Sequence, residues 1–289
     1  MPNVIQNANF DTERALYHLQ DATLKNCRFI GPADGESALK EAARITVESS
    51  LFALRYPLWH TRGFSISDCT FTDTARAPIW YAREGILQNC TVNGIKALRE
   101  CQQIILTGCR VNSPEFGWKT CGVTLKQTEI ASEYLFFEGQ NIHLSSVKMQ
   151  GKYSFQYAEN VSISDTELDS KDAFWHARNV TVKNCTVRGE YLGWFSDGLT
   201  LIDCSIIGTQ PFCYCHNLKL IRCTMTGCDL AFEYSDVQAD VIGHIDSVKN
   251  IRRGIVTADS VGEVIADNAV TDCTGSVQIR TEHPENDNA

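Results

Sequence analysis

A short repeat dominates this chain. The frame Ile104-x-Leu106-x-x-Cys109-x-Val111 recurs as Val123-x-Leu125-x-x-Thr128-x-Ile130, Ile142-x-Leu144-x-x-Val147-x-Met149 and Val161-x-Ile163-x-x-Thr166-x-Leu168. It continues as Val180-x-Val182-x-x-Cys185-x-Val187, Leu199-x-Leu201-x-x-Cys204-x-Ile206 and Leu218-x-Leu220-x-x-Cys223-x-Met225. Upstream anchors are Cys27, Ser50, Cys69 and Cys90, spaced by 23, 19 and 21 residues; from Cys90 to Cys223 the step is 19, seven times running. Apolar and polar residues alternate within each frame, and β-branched residues dominate, which is strand periodicity.

Gly, Asn, Asp and Ser mark the corners. One column lies four residues after the anchor (Gly94, Ser113, Ser132, Gly151, Ser170, Gly189), one precedes the frame (Gly122, Asn141, Asn160, Asn179, Gly198), and one precedes the anchor (Asn89, Asp165, Asn184, Asp203). Gly and Asn tolerate left-handed backbone, so the first two columns read as sharp corners. Three corners predict three short strands per coil. A coil this short cannot bury its own inner face and must stack on its neighbours, at about 4.8 Å per coil. The expected fold is all-β: a single-stranded parallel β-helix of about a dozen coils of roughly 19 residues.

The pattern resembles the right-handed parallel β-helices of the pectin-lyase-like superfamily over residues 14–275. The strings Leu54-Arg-Tyr-Pro-Leu-Trp-His60, Ser113-Pro-Glu-Phe-Gly-Trp118, Lys171-Asp-Ala-Phe-Trp-His176 and Gly189-Glu-Tyr-Leu-Gly-Trp194 are similar to one bacterial family known only as a domain of unknown function. The resemblance implies right-handed winding and carries no activity. The active-site strings of pectate lyases, pectin esterases and polygalacturonases are not found.

With 26 Lys+Arg against 35 Asp+Glu, the formal charge of −9 and the lack of a basic stripe argue against nucleic acid. No apolar run approaches the roughly 20 residues of a membrane span. The opening Met1-Pro-Asn-Val4 lacks a signal-peptide pattern, so the expected compartment is cytoplasmic and the 13 cysteines are expected to be free. Cys213, Cys215, His216, Cys223 and Cys228 are dense but lack Cys-x-x-Cys spacing, so no metal and no cofactor is expected. One domain over 1–280 is expected, with irregular coils after about 235 and a loose tail at 281–289.

The segment before each frame carries the chemistry. All five tryptophans fall in one column, ten residues before the next anchor: Trp59, Trp80, Trp118, Trp175 and Trp194. Nine before lie His60, Glu100, Lys119, Glu138, Tyr157 and His176; thirteen before lie Glu115, Tyr134, Tyr153, Asp172 and Tyr191; eleven before lie Leu58, Phe136, Phe155 and Phe174. The charged columns should face water. Strict alternation, the reading adopted, then puts the Phe/Leu column outside and Trp inside. A parity break at a corner reverses this, and Lys40, Arg99 and Gln156 in the Trp column favour it.

An exposed aromatic and polar stripe suits a linear glycan. The expected function is to bind or modify an oligo- or polysaccharide along this face; if the chain is an enzyme, it is a polysaccharide lyase or glycoside hydrolase with Glu138, Tyr157, His176 and Lys119 as its catalytic set. The expected substrate contacts are Glu115, Tyr134, Tyr153, Asp172, Tyr191, Phe155 and Phe174. The alternative is a non-catalytic scaffold whose aromatic face binds another protein or a second copy of the chain.

Overall fold

A computed structural model describes residues 3–32 and 35–280; the stretch 281–289, read as a tail, lies outside them. The chain winds as a right-handed β-solenoid of about 14 turns spaced about 19 residues apart, with no α-helix among the described residues. The first side is a ladder of in-register parallel strands, running from Asn3–Gln6 and Gln20–Lys25 to Ser276–Ile279. In its middle, Ile142 pairs with Val123 and Val161, and Leu144 with Leu125 and Ile163, so each apolar column is continuous through the core. The second side is built of shorter strands such as Lys148–Gly151, paired with Glu129–Ser132 and Glu167–Ser170. Leu218–Thr226 runs through the corner and serves both sides. Within it the register with Asp236–Val241 shifts between Leu220 and Cys223, and further along the chain His244–Lys249 and Ser260–Ile265 form a separate two-stranded sheet.

Two corner columns are left-handed. Asn141, Asn160 and Asn179 have φ of 54°, 57° and 52°, and Asp165 and Asn184 have 51° and 54°. Their side chains form ladders: Asn160 Nδ2 donates to Asn141 Oδ1 at 3.3 Å, and Asn184 Nδ2 to Asp165 Oδ1 at 2.6 Å. The corner four residues after the anchor differs from expectation. Most of its residues are not left-handed; a small residue is needed there for space, since a Cβ on Gly189 would sit 2.1 Å from the Ser170 carbonyl oxygen.

The anchor column is a hydrogen-bonded hinge as well as core. Thr128 Oγ1 donates to the Lys126 carbonyl (2.9 Å) and accepts the Cys109 N–H (3.4 Å); Thr166 does the same with Ser164 and Val147. Cys204 Sγ donates to the Ile202 carbonyl at 3.2 Å. Cys, Ser and Thr interchange here because each is small and bears a donor on the first side-chain heteroatom. All 13 cysteines are free. Burial pushes the Cys69 thiol up to about 11 and that of Cys101 to about 12, which keeps both protonated near neutral pH.

The third side corrects the strand expectation. It is a turn ladder in which alternate residues are left-handed: Phe136 and Glu138, Phe155 and Tyr157, Phe174 and His176 have φ between 52° and 67°. Its N–H groups also alternate. Phe155 and Tyr157 donate to Leu135 and Trp175 of adjacent coils (2.8 and 2.9 Å), whereas the N–H of Gln156 between them has no backbone acceptor among the described residues. This conformation breaks period-two parity. Leu58, Phe136, Phe155 and Phe212 are fully buried, Phe174 nearly so, and all five tryptophans are half-buried at the surface. The column of Phe and Leu is therefore core, against the strict alternation adopted from sequence. After Cys223 an extra residue shifts the columns by one, so that Phe232 stacks under Phe212 at 6.1 Å.

Phe155→Ala should therefore cost about 3–5 kcal/mol, and Gln156→Ala should stay within about 0.5 kcal/mol. Denaturant unfolding of both variants checks the parity; strict alternation would make the Phe155 change the milder one.

Candidate functional site

The turn ladder brings the sequence-selected residues into vertical columns but fills the rings' faces with one another. Tyr157, His176, Phe195 and Tyr214 stack at centroid separations of 4.9, 5.0 and 4.8 Å, tilted by 5°, 8° and 10°. Only ring edges are left for solvent. Sugar stacking uses ring faces, so this column is poorly shaped for it. Trp175 and Trp194 stack at 5.8 Å and 6°, and their indole N–H groups donate to the Tyr191 and Gln210 carbonyls (2.9 and 2.8 Å), lacing coil to coil.

The other selected residues are distributed as follows. Lys119 Nζ pairs with Glu138 Oε2 at 3.5 Å, the ladder pairing that alternating charge on a stacked face produces. Glu115 is half-buried and pairs with Lys96 at 3.6 Å. Tyr134 and Tyr153 stack on each other at 4.9 Å, Lys152 Nζ lies 4.7 Å from the Tyr153 ring, and Lys171 Nζ lies 5.2 Å from the Tyr191 ring. Phe155 and Phe174, expected to line a groove, are core and out of reach of any ligand. Asp172 is also buried, at 6% exposure. Burial raises its pKa above the ordinary carboxylate value; Lys171 opposes the shift and Glu190 adds to it.

A trough on the second side lay outside the sequence reading. It is an open cavity of about 680 Å³ spanning the coils from Arg110 to Arg188. Its floor is the strand backbone at Val111, Ile130, Met149 and Leu168. One wall carries Arg110, Glu129, Lys148 and Glu167, the other Asn112, Gln150, Asp169 and Arg188. Arg110 pairs with Glu129 at 3.2 Å. Lys148, Glu167, Asp169 and Arg188 have no ion pair or side-chain hydrogen bond among the described residues. The signal was present in the sequence: one residue after four successive anchors the signs alternate at 19-residue steps, as Arg110, Glu129, Lys148 and Glu167, and three residues after the anchors Thr166 and Cys185 lie Asp169 and Arg188.

Among the described residues no three His, Cys, Asp or Glu side chains converge on a metal site. His216 points at Asp236 (3.3 Å) and Arg252 (2.7 Å), away from the buried Cys213, Cys215 and Cys223.

Stacked parallel coils with an in-register core define a right-handed parallel β-helix protein. A family model described as "Protein of unknown function (DUF3737)" matches residues 3–279, and the chain belongs to that family. No curated protein matches. Similar solved structures include a tailspike protein of E. coli bacteriophage HK620 in complex with a pentasaccharide (12% identity, 94% of this chain and 68% of that one, TM-score 0.39). Another is the mannuronan C-5 epimerase AlgE4 A-module of Azotobacter vinelandii (9%, 98% and 90%, 0.33). A third is HetL, a pentapeptide repeat protein involved in heterocyst differentiation regulation, from the cyanobacterium Nostoc sp. strain PCC 7120 (16%, 79% and 89%, 0.30). Likeness at these levels assigns no activity to this chain.

The buried Asp172 gives a signed pH test. Its folded pKa is raised, so the stability it confers is full below the unfolded pKa of about 3.9 and is lost as pH rises through the folded value. Asp172→Asn should raise Tm at about pH 7, with the gain shrinking to nothing near pH 3. Thermal melts of both proteins across that range check it.

Proposed function

We propose that this chain is a carbohydrate-binding protein whose ligand, an extended oligosaccharide, lies in the second-side trough. One observation carries the reading: a cavity of about 680 Å³ is lined by Lys148, Glu167, Asp169 and Arg188, which have no ion pair or side-chain hydrogen bond among the described residues. That volume is within the range of small-molecule sites, roughly 300–1,000 Å³. Successive coils place donors and acceptors alternately, Lys148 after Glu129 and Glu167 after Lys148, at about 4.8 Å steps over about 19 Å. A polyhydroxylated chain offers both donors and acceptors at every unit and matches such a row; a uniformly charged polymer does not.

The reading is of binding without bond cleavage. Glu129, Glu167 and Asp169 are exposed on an open face. A general acid poised near neutral pH needs a desolvated carboxyl, as in glycosidases. The third-side set of Glu138, Tyr157, His176 and Lys119 has exposed side chains in the same way. A second reading rests on the apolar edge of that column, where Tyr157 is 53% and Phe195 42% exposed: a surface for a protein partner.

A glycan array identifies the oligosaccharide, and titration calorimetry measures it. Glu167→Gln combined with Arg188→Gln should weaken binding by about tenfold or more, the loss of one charged hydrogen bond or two, and His176→Ala should leave it unchanged. If no glycan binds, or if the His176 variant loses binding and the trough variant keeps it, the trough is not the site.

A further inference from the structure

Like charges are kept apart on the stacked strands, with one exception. Where charged residues are register partners, their signs oppose: Lys25 on Glu48, Arg110 on Glu129, Lys148 on Glu167, Glu159 on Arg178, Asp169 on Arg188. The reason is electrostatic, since identical charges directly opposite each other in a ladder are destabilising. Among the described strand registers, Arg62 on Arg83 is the one like-charged pair. Their other register neighbours are Ala43 and Gln102, so the column supplies no carboxylate on either side. Neither guanidinium has an ion pair or side-chain hydrogen bond among the described residues.

This exception coincides with a cavity. A pocket of about 260 Å³ is lined by His60, Arg62, Tyr81, Arg83 and Glu100. His60 and Tyr81 form one wall, stacked at 4.9 Å and 12°, with Trp80 stacked on Tyr81 at 5.5 Å. Glu100 is the one carboxylate in the lining, and it pairs with neither arginine among the described residues. Its chain-neighbouring turn is held by the Glu100 N–H, which donates to the Trp118 carbonyl at 2.8 Å.

We propose that Arg62 and Arg83 form a site for a tetrahedral oxyanion, a phosphate or sulfate group. Two planar guanidinium forks one coil apart bracket such a group and bind it bidentately. The bound charge removes the repulsion that the stack otherwise carries. The Tyr81 hydroxyl and the His60 ring add donors. Glu100, at the edge of the lining, accepts a hydrogen bond from a hydroxyl wherever the bound group carries one. The site lies between the first and third sides, away from the second-side trough, and does not depend on it.

The probes are inorganic phosphate, sulfate and acetate, each at an ionic strength matched with chloride, read by thermal unfolding and by titration calorimetry. Phosphate or sulfate should raise Tm above the chloride control, and Arg83→Gln and Arg62→Gln should each abolish the rise. In low-salt buffer without phosphate, both variants should melt above the wild type, because they relieve the like-charge stack. Arg178→Gln, which removes an arginine whose register neighbours are the carboxylates Glu159 and Asp197, should keep the full phosphate response. Equal Tm in phosphate, sulfate and chloride would overturn the site. So would variants that retain the response, or an acetate effect as large as that of phosphate, which would show charge without shape.

Discussion

Coil-to-coil hydrogen bonding is the constraint on which the rest of this molecule depends. Each turn is too short to enclose a core alone, so its side chains are buried only against the turns above and below. Register is thereby fixed to one residue, and residues 19 positions apart become vertical neighbours. Everything on the surface inherits that geometry: charge ladders, asparagine ladders and ring stacks are the same device executed with different side chains. The isolated like-charged pair at Arg62 and Arg83 stands out only because the device is otherwise applied so consistently.

The first two sides were legible from sequence, because Ile142, Leu144 and Met149 alternate with polar residues and recur with a fixed step. The left-handed corners at Asn141, Asn160 and Asn179 were legible for the same reason: few other residue types sit comfortably there. The third side was misread as a strand. Two clues pointed otherwise. Gly117 and Gly193 stand in the otherwise bulky Phe/Leu column, with φ of 71° and 73°. The columns around them hold Phe, Leu, Tyr, His and Glu, with Ile79 the β-branched exception, and β-branched side chains are the ones a left-handed backbone excludes most strongly. Strict alternation gave way because handedness switches at every second residue there.

That switch decides which chemistry the surface can offer. Columns of aromatic residues look, as a sequence, like a platform for sugar rings. Stacked at about 5 Å, the rings satisfy one another and leave edges outward. The second side has the opposite property: its charged side chains stand over a shallow floor, and several of them have no ion pair or side-chain hydrogen bond among the described residues. Phe155 and Phe174 could not be assigned from spacing alone, since both parities give identical sequence periods; only the backbone conformation separates them.

Residue-resolved amide hydrogen exchange tests this conformation most directly. A regular parallel strand bonds every amide along the third side. The alternating turn bonds only every second one: Phe155, Tyr157, Phe174 and His176 donate to adjacent coils, while Gln156 and Trp175 do not among the described residues. The account requires slow exchange at the first four and fast exchange at Gln156 and Trp175. Uniform protection from Phe155 through His176 would contradict it, and with it the burial of the Phe column and the outward placement of the tryptophans.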